Sequence, residues 1–219
     1  MVATETVETP ISLPRINEPA PDFTAPSTQG EIKLSNYRGK KWVVLFSHPA
    51  DFTPVCTTEF VSFSQLWPEF EKRNVQLIGL SVDSIYSHIG WLRNIEQNFG
   101  VKVPFPLIPD RNMKIAQQYG MIHPGASDTA TVRAVFVIDD KGVIRALIYY
   151  PLQAGRNMEE ILRLVDALQT VDKNGVATPA NWKPGDAVIV PAPVTKDGAD
   201  RRKDEGFDTV DWYFSKKKI

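Results

Sequence analysis

Cys56 is the only cysteine in a chain of 219 residues. It lies in Pro49-Ala-Asp-Phe-Thr53-Pro-Val-Cys56-Thr-Thr-Glu59, between an apolar run and a stretch with helical spacing. A thiol in the first turn of a helix faces unpaired backbone N–H groups and the positive end of the macrodipole. Both favour thiolate over thiol and so make a nucleophile. Reducing a peroxide with that thiolate asks for an ionised sulfur, a group that aligns the O–O bond, and charge that stabilises the departing alkoxide. Thr53 stands one turn before Cys56, with a hydroxyl able to accept from the thiol region and donate to a bound oxygen. Pro49 would cap the pocket and exclude water. Arg133, at the start of an otherwise apolar run, brings a permanent cation with a planar fork of donors, suited to holding the thiolate and bridging a peroxide oxygen.

Each residue also has a plain structural reading. A lone cysteine is often a small buried hydrophobe, but the run from Pro49 to Glu59 as a whole points to a nucleophile. Thr53 fits a helix cap and Arg133 fits an ion pair with Glu59, and both roles are compatible with chemistry. The reading requires a sulfur that is ionised, reachable and beside a cation.

The pattern Pro49-x-x-x-Thr53-x-x-Cys56, preceded by Phe46-Ser-His48 and followed by Thr57-Thr58-Glu59, resembles the active-site loop of the peroxiredoxins, most nearly the one-cysteine, type-six subfamily. The resemblance continues through Asp110-Arg111, Arg133 with Val135-Phe136-Val137, Tyr150-Pro151 and Gly155-Arg156-Asn157 to Ala177-Thr178-Pro179 and Asn181-Trp182. It implies a thioredoxin-like fold, reduction of hydrogen peroxide and organic hydroperoxides, and homodimers able to assemble into decameric rings. It implies Cys56 as the peroxidatic nucleophile, with Thr53, Pro49 and Arg133 around it and His48, Val55, Glu59 and Arg156 in support. No second cysteine follows in Pro184 to Ile219, so a Cys56 sulfenic acid must be reduced by an external thiol or other donor, or pair with another molecule's cysteine. The lipase-like Gly-x-Ser-x-Gly motif of the mammalian relatives is missing from Ser35-Asn-Tyr-Arg-Gly39-Lys-Lys-Trp42, so phospholipase activity is not carried over.

The elements that must position these residues follow from hydrophobic period. Lys41–Ser47 and Val75–Val82 are continuous apolar runs, the pattern of strands buried on both faces. Between them, Phe60, Phe63, Leu66, Trp67 and Phe70 recur at helical spacing from Val55 to about Arg73, with Pro54 suited to a helix entrance and Pro68 expected to kink or divide the helix. Asp83-Ser84 caps a second helix carrying Ile85, Ile89, Leu92 and Ile95. Pro104 to Pro109 reads as a short extended piece and Asn112 to Tyr119 as a brief helix closed by Gly120. Thr131–Ile138 and Val143–Tyr150, separated by Asp139-Asp-Lys-Gly142, read as an antiparallel hairpin, and Asn157 opens a last helix. This rhythm predicts an α/β, thioredoxin-like mixed sheet with helices on both faces, plus a C-terminal extension. The expected organisation is an N-terminal arm over residues 1–13, a peroxidase domain over 14–172, and an extension over 173–219 in which only Asp186 to Val190 looks strand-like.

With a formal net charge of -1 and 23% charged residues, the chain has no electrostatic bias toward nucleic acid or acidic lipid. The expected partners are a hydroperoxide, an external reductant and further copies of the chain, with no nucleic acid and no membrane. A single cysteine forbids an intrachain disulfide and fits a reducing, cytoplasmic compartment. The three histidines, His48, His88 and His123, are too scattered to suggest a metal site, and no cofactor is expected. Phe52 and Trp91 fit a pocket or interface as well as a core. Two rival functions stand beside peroxide turnover. One is a peroxide sensor or redox-triggered chaperone; the other is a thiol transferase, which needs a Cys-x-x-Cys pair where this chain has Thr53.

Overall fold

The computed structural model describes residues 13–219; the expected N-terminal arm, apart from Leu13, lies outside them. The chain divides into two compact units, one ending at Met158 and the other spanning Glu159–Ile219. The first opens with a hairpin that the hydrophobic pattern did not announce, Thr24–Ser27 (β1) and Gly30–Lys33 (β2). Gly30 turns it with a φ of 101°, a value that L side chains resist. Trp42–Ser47 (β3) is buried at all six positions. It is followed by Pro54–Lys72 (α1), Val75–Ser81 (β4), Ile85–Phe99 (α2), Leu107–Pro109 (β5), Lys114–Gln118 (α3), Arg133–Ile138 (β6) and Ile144–Tyr150 (β7).

These strands form one mixed sheet in the order β5-β4-β3-β6-β7, parallel through β5, β4 and β3 and antiparallel on to β6 and β7. Side chains alternate along each strand, so the two faces carry different cores. Val43 and Leu45 join Ile78, Leu80 and Phe136 beneath Ile115 and Ala116 of α3 and Ala25 and Ile32 of the hairpin. Phe46 points the opposite way and meets Phe60 and Phe63 of α1 at ring distances of 5.6 and 4.4 Å. A Cβ at Gly79 would stand 2.9 Å from Leu107 and 3.2 Å from Phe46, so glycine here lets the α1 aromatics close on the sheet. Helices therefore cover both faces, as a thioredoxin-like α/β fold requires.

Pro68 does not divide α1, which runs unbroken from Pro54 to Lys72. Proline removes one backbone donor, but Phe63 and Phe70 are buried on either side of it, and their packing holds the turns in register. Residues 17–20 are tied to the β6–β7 turn: Asn17 N donates to Ile144 O at 2.8 Å and Ala20 N to Gly142 O at 2.8 Å.

The second unit holds most of Met158–Asn174 (α4), then Val188–Val190 (β8), Lys196–Arg201 (α5), Asp208–Asp211 (β9) and Phe214–Lys217 (β10). Its strands pair antiparallel in the order β8-β10-β9. Only the first was expected, so the extension is a small sheet rather than one strand and coil. Among the described residues no helix is long and apolar enough to cross a membrane.

Candidate active site

β3 ends at Ser47, and the chain turns through His48 to Thr53 before entering α1. Ser47 Oγ donates to Val132 O at 2.6 Å and Thr131 Oγ1 donates to His48 O at 2.7 Å, fastening the turn to the approach of β6. Thr53 occupies the N-cap position and Pro54 the first helical one, where a missing N–H costs nothing. The Thr53 hydroxyl does not cap the helix. It donates to Ala50 O at 2.8 Å, while Thr53 O accepts from Thr57 N and Thr57 Oγ1. Cys56 falls in the first turn and is 0% exposed.

Beside the sulfur lies a closed set of charges. Arg133 Nη1 is 3.3 Å from Cys56 Sγ and 2.8 Å from Glu59 Oε2. Arg133 Nε and Nη2 both donate to Leu152 O, at 3.0 and 2.7 Å. Glu59 Oε1 accepts from the backbone N and Nε of Arg156, and Oε2 from Arg156 Nη2 at 2.7 Å. Arg156 Nη1 reaches Ser47 O and Ala134 O, and its guanidinium lies over the ring of Phe46. Burial alone would push the Glu59 carboxyl up; Arg156 and then Arg133 outweigh it and hold the group below the usual carboxylate range. Arg133, Glu59 and Arg156 are only 3%, 2% and 7% exposed, so water screens these contacts little.

On the other side of Cys56 in sequence, Asp51 is a second buried carboxylate between two bases. Its Oδ1 is 2.9 Å from His48 Nε2 and its Oδ2 is 2.7 Å from His88 Nδ1. Desolvation would raise the Asp51 carboxyl, but its bonds to His48 and His88 hold it far below the usual range, while burial pushes His48 down. His48, Asp51 and Asp83 bring ligand-type atoms within 4.8 Å of one another. Asp83 Oδ2 accepts from Asp51 N and Ser81 Oγ, and Asp51 Oδ1 is engaged with His48 Nε2, so these atoms are held by hydrogen bonds within the protein.

The fold agrees with comparison to known proteins. Residues 16–147 match the model of the AhpC/TSA family, and residues 167–205 match the C-terminal domain of 1-Cys peroxiredoxin. The chain belongs to the peroxiredoxin family. A peroxiredoxin of Aquifex aeolicus is 58% identical over 219 residues, covering 95% of this chain and 99% of the relative. Among solved structures, a yeast mitochondrial 1-Cys peroxiredoxin aligns with a TM-score of 0.84 at 47% identity, covering 94% of this chain and 99% of that one. A cysteine-to-serine mutant of the peroxiredoxin 6 of Arenicola marina aligns with a TM-score of 0.83 at 37% identity, covering 94% and 98%. Peroxiredoxins are peroxidase oxidoreductases, and this one has a single cysteine.

In this peroxiredoxin the structure brings Cys56, Arg133, Glu59 and Arg156 into one contact network. Pro49 is half-buried at the turn. Val55 packs toward Gly155, where an added Cβ would lie 3.3 Å from its Cγ1. His48 is engaged with Asp51, its ring tilted against Trp91 at 5.1 Å and edge-on to Phe60 at 4.9 Å. Phe52 is 57% exposed with a φ of 54°, whereas Trp91 is buried and donates from Nε1 to Thr57 Oγ1 at 3.2 Å. Of the two, Trp91 is therefore a core residue that braces the first turn of α1. Asp51, His88 and Leu152 were not singled out from the sequence as part of the site. Only the proximity of Asp51 to the Cys56 motif hinted at any of them.

Proposed function

We propose that this peroxiredoxin reduces hydrogen peroxide and organic hydroperoxides through Cys56, with an external reductant closing the cycle. The observation that carries the reading is a count of buried charge. Arg133 and Arg156 contribute two permanent cations and Glu59 one anion, so the cluster is one negative charge short, and the atom in contact with the unbalanced guanidinium is Cys56 Sγ. A thiolate completes the set.

The thiolate attacks the nearer oxygen of ROOH in line with the O–O bond. The S–O bond forms as the O–O bond breaks, the distal oxygen leaves with the electron pair, and the peroxide proton ends on it as ROH. Cys56 is left as sulfenate, which takes one proton from solvent to become sulfenic acid. Thr53 gives its own proton to Ala50 O, so its oxygen is free to accept from the peroxide O–H. Arg133 keeps one Nη2 hydrogen beyond its bond to Leu152 O, a donor for the charge that develops on oxygen. Pro49, Val55 and His48 shape and support the turn that holds these groups. Because Cys56 is fully covered, peroxide enters and reductant reaches the sulfur through movement of the 48–56 turn or its cover.

In the yeast mitochondrial relative the thiol is resolved via the glutathione/thioredoxin systems; for this chain we assign an external thiol of that class, a homodimeric state able to form decameric rings, and a cytoplasmic setting. Stopped-flow peroxide consumption with excess dithiol tests the reading. Cys56→Ser should abolish turnover, and Arg133→Leu or Thr53→Val should slow it by about 10² or more while the fold persists. Undiminished turnover in Cys56→Ser refutes the assignment.

A further inference from the structure

We infer that His88 carries a proton on both ring nitrogens and, as a buried imidazolium, is a positioning residue that ties the Cys56-bearing turn to α2 and β5. His88 is fully buried on α2. Its Nδ1 lies 2.7 Å from Asp51 Oδ2 and its Nε2 lies 3.2 Å from the carbonyl oxygen of Ile108 in β5. Both partners can only accept, one being an ionised carboxylate and the other a peptide carbonyl. A neutral imidazole has one N–H and one lone pair, so one of these contacts would set lone pair against lone pair in a dry site. The imidazolium satisfies both.

Charge balance assigns the extra proton to the same ring. Asp51 is a buried anion with two candidate cations, His48 and His88. His48 meets Asp51 through Nε2, and its Nδ1 is buried with no hydrogen-bond partner. One proton satisfies His48, and a second would be buried without an acceptor. The further charged group beside the chain is Asp83, on the turn between β4 and α2, which holds Asp51 N. Its carboxylate lies within 4.8 Å of the ligand-type atoms of His48 and Asp51 and so favours charge on His48, but the buried, partnerless Nδ1 of that ring gives a second proton no acceptor. The chain of contacts therefore reads His48 neutral, Asp51 anionic and His88 cationic.

The consequence reaches the sulfur through two residues. Asp51 adjoins Ala50, whose carbonyl fixes the Thr53 hydroxyl. With Asp51 held by His88, and His88 held by β5, that carbonyl is located by the sheet rather than by the turn alone. The positioning role rests on the peroxidase reading; the proton assignment does not.

The test uses reduced, full-length protein labelled with ¹⁵N only in its three histidines. Solid-state ¹⁵N spectra at neutral pH should show one histidine with both nitrogens protonated, and the His88→Gln variant should lack that signal. Asp51→Asn, which removes the anion, should convert it to the neutral pattern. A wild-type His88 with one bare nitrogen overturns the proton assignment whether or not either variant folds. In the kinetic arm, His88→Gln and Asp51→Asn should lower the peroxide rate constant about ten- to a hundredfold through misplacement of the turn. A doubly protonated His88 whose replacement leaves that rate unchanged overturns the positioning role. A wild-type protein that consumes no peroxide would instead sink the peroxidase reading and leave the spectra to decide the proton.

Discussion

Replacing Glu59 by glutamine keeps the volume of the side chain but removes the charge on which two buried guanidinium groups converge. The native carboxylate accepts four hydrogen bonds: two on Oε1 from Arg156 N and Nε, and two on Oε2 from Arg156 Nη2 and Arg133 Nη1. Glutamine offers one carbonyl oxygen in their place, and its amide group turns donor hydrogens toward guanidinium donors. Either way round, two charge-assisted bonds are lost and the two cations face each other with the anion gone. Removing one partner of a buried ion pair costs about 3–5 kcal/mol. Because Glu59 is 2% exposed, solvent does little to reduce that figure. For a chain of this length each kcal/mol moves Tm by about 2–4 °C, so the reduced variant should melt roughly 6–20 °C below wild type at neutral pH.

Calorimetry and urea unfolding measure the loss, and a double-mutant cycle with Arg156→Met isolates its origin. Arg156 also donates to Ser47 O and Ala134 O, so its removal orphans two carbonyls at about 1–3 kcal/mol each, a cost that Glu59→Gln does not carry. The double variant should still be more stable than the sum of the single losses predicts, by about 0.5–3 kcal/mol, because each substitution alone strands the other's charge. A Glu59→Gln loss below about 1 kcal/mol, or strictly additive losses, would show that the carboxylate is not the hub of the cluster.

Two further outcomes follow from other parts of the structure. His48 is held neutral, with its folded-state value below that of the unfolded chain, so it contributes stability present above about pH 6.5 and lost as pH falls. Glu59 and Asp51 are depressed carboxylates whose stabilisation is present above about pH 4 and lost as pH drops through their folded-state values, opposed only in part by the raised Asp110. Tm should therefore fall in two stages, below about pH 6.5 and again below about pH 4, and a flat profile from pH 7 to pH 3 contradicts the burial argument. At the start of α2, Ser84 Oγ accepts from Ser87 N at 3.1 Å, so Ser84→Ala should cost about 1 kcal/mol by urea unfolding while peroxide turnover stays unchanged.

How far the sequence carries depends on the range of the interaction that makes each element. β3, β4, β6 and β7 are legible because continuous apolar runs such as Trp42–Ser47 state their burial locally. β9 and β10 are not, since Asp208-Thr-Val-Asp211 and Phe214-Ser-Lys-Lys217 hold one apolar residue each and exist as strands through their pairing. The site divides in the same way. Thr53 and Cys56 share one helical turn and can be read together, and Arg133 stands out as a cation in an apolar strand. The link of Arg156 to Glu59 spans 97 residues, and the family resemblance named both residues without joining them. His88 meets Asp51 across 37 residues and looks, in sequence, like any polar residue on a helix.

The two buried carboxylates flank Cys56 in sequence, and each lies between two nitrogen-bearing side chains, both from other elements for Glu59, one from its own turn and one from α2 for Asp51. Glu59 anchors the second turn of α1 to β6 and to the 152–156 segment through arginines that stay charged at every physiological pH. Asp51 anchors the turn before α1 to α2 and β5 through His88, a residue type whose charge is not fixed in that way. A movement that uncovers the sulfur has to loosen one of these anchors. Releasing Glu59 would separate permanent charges inside the protein, whereas the Asp51 anchor can give way by moving protons.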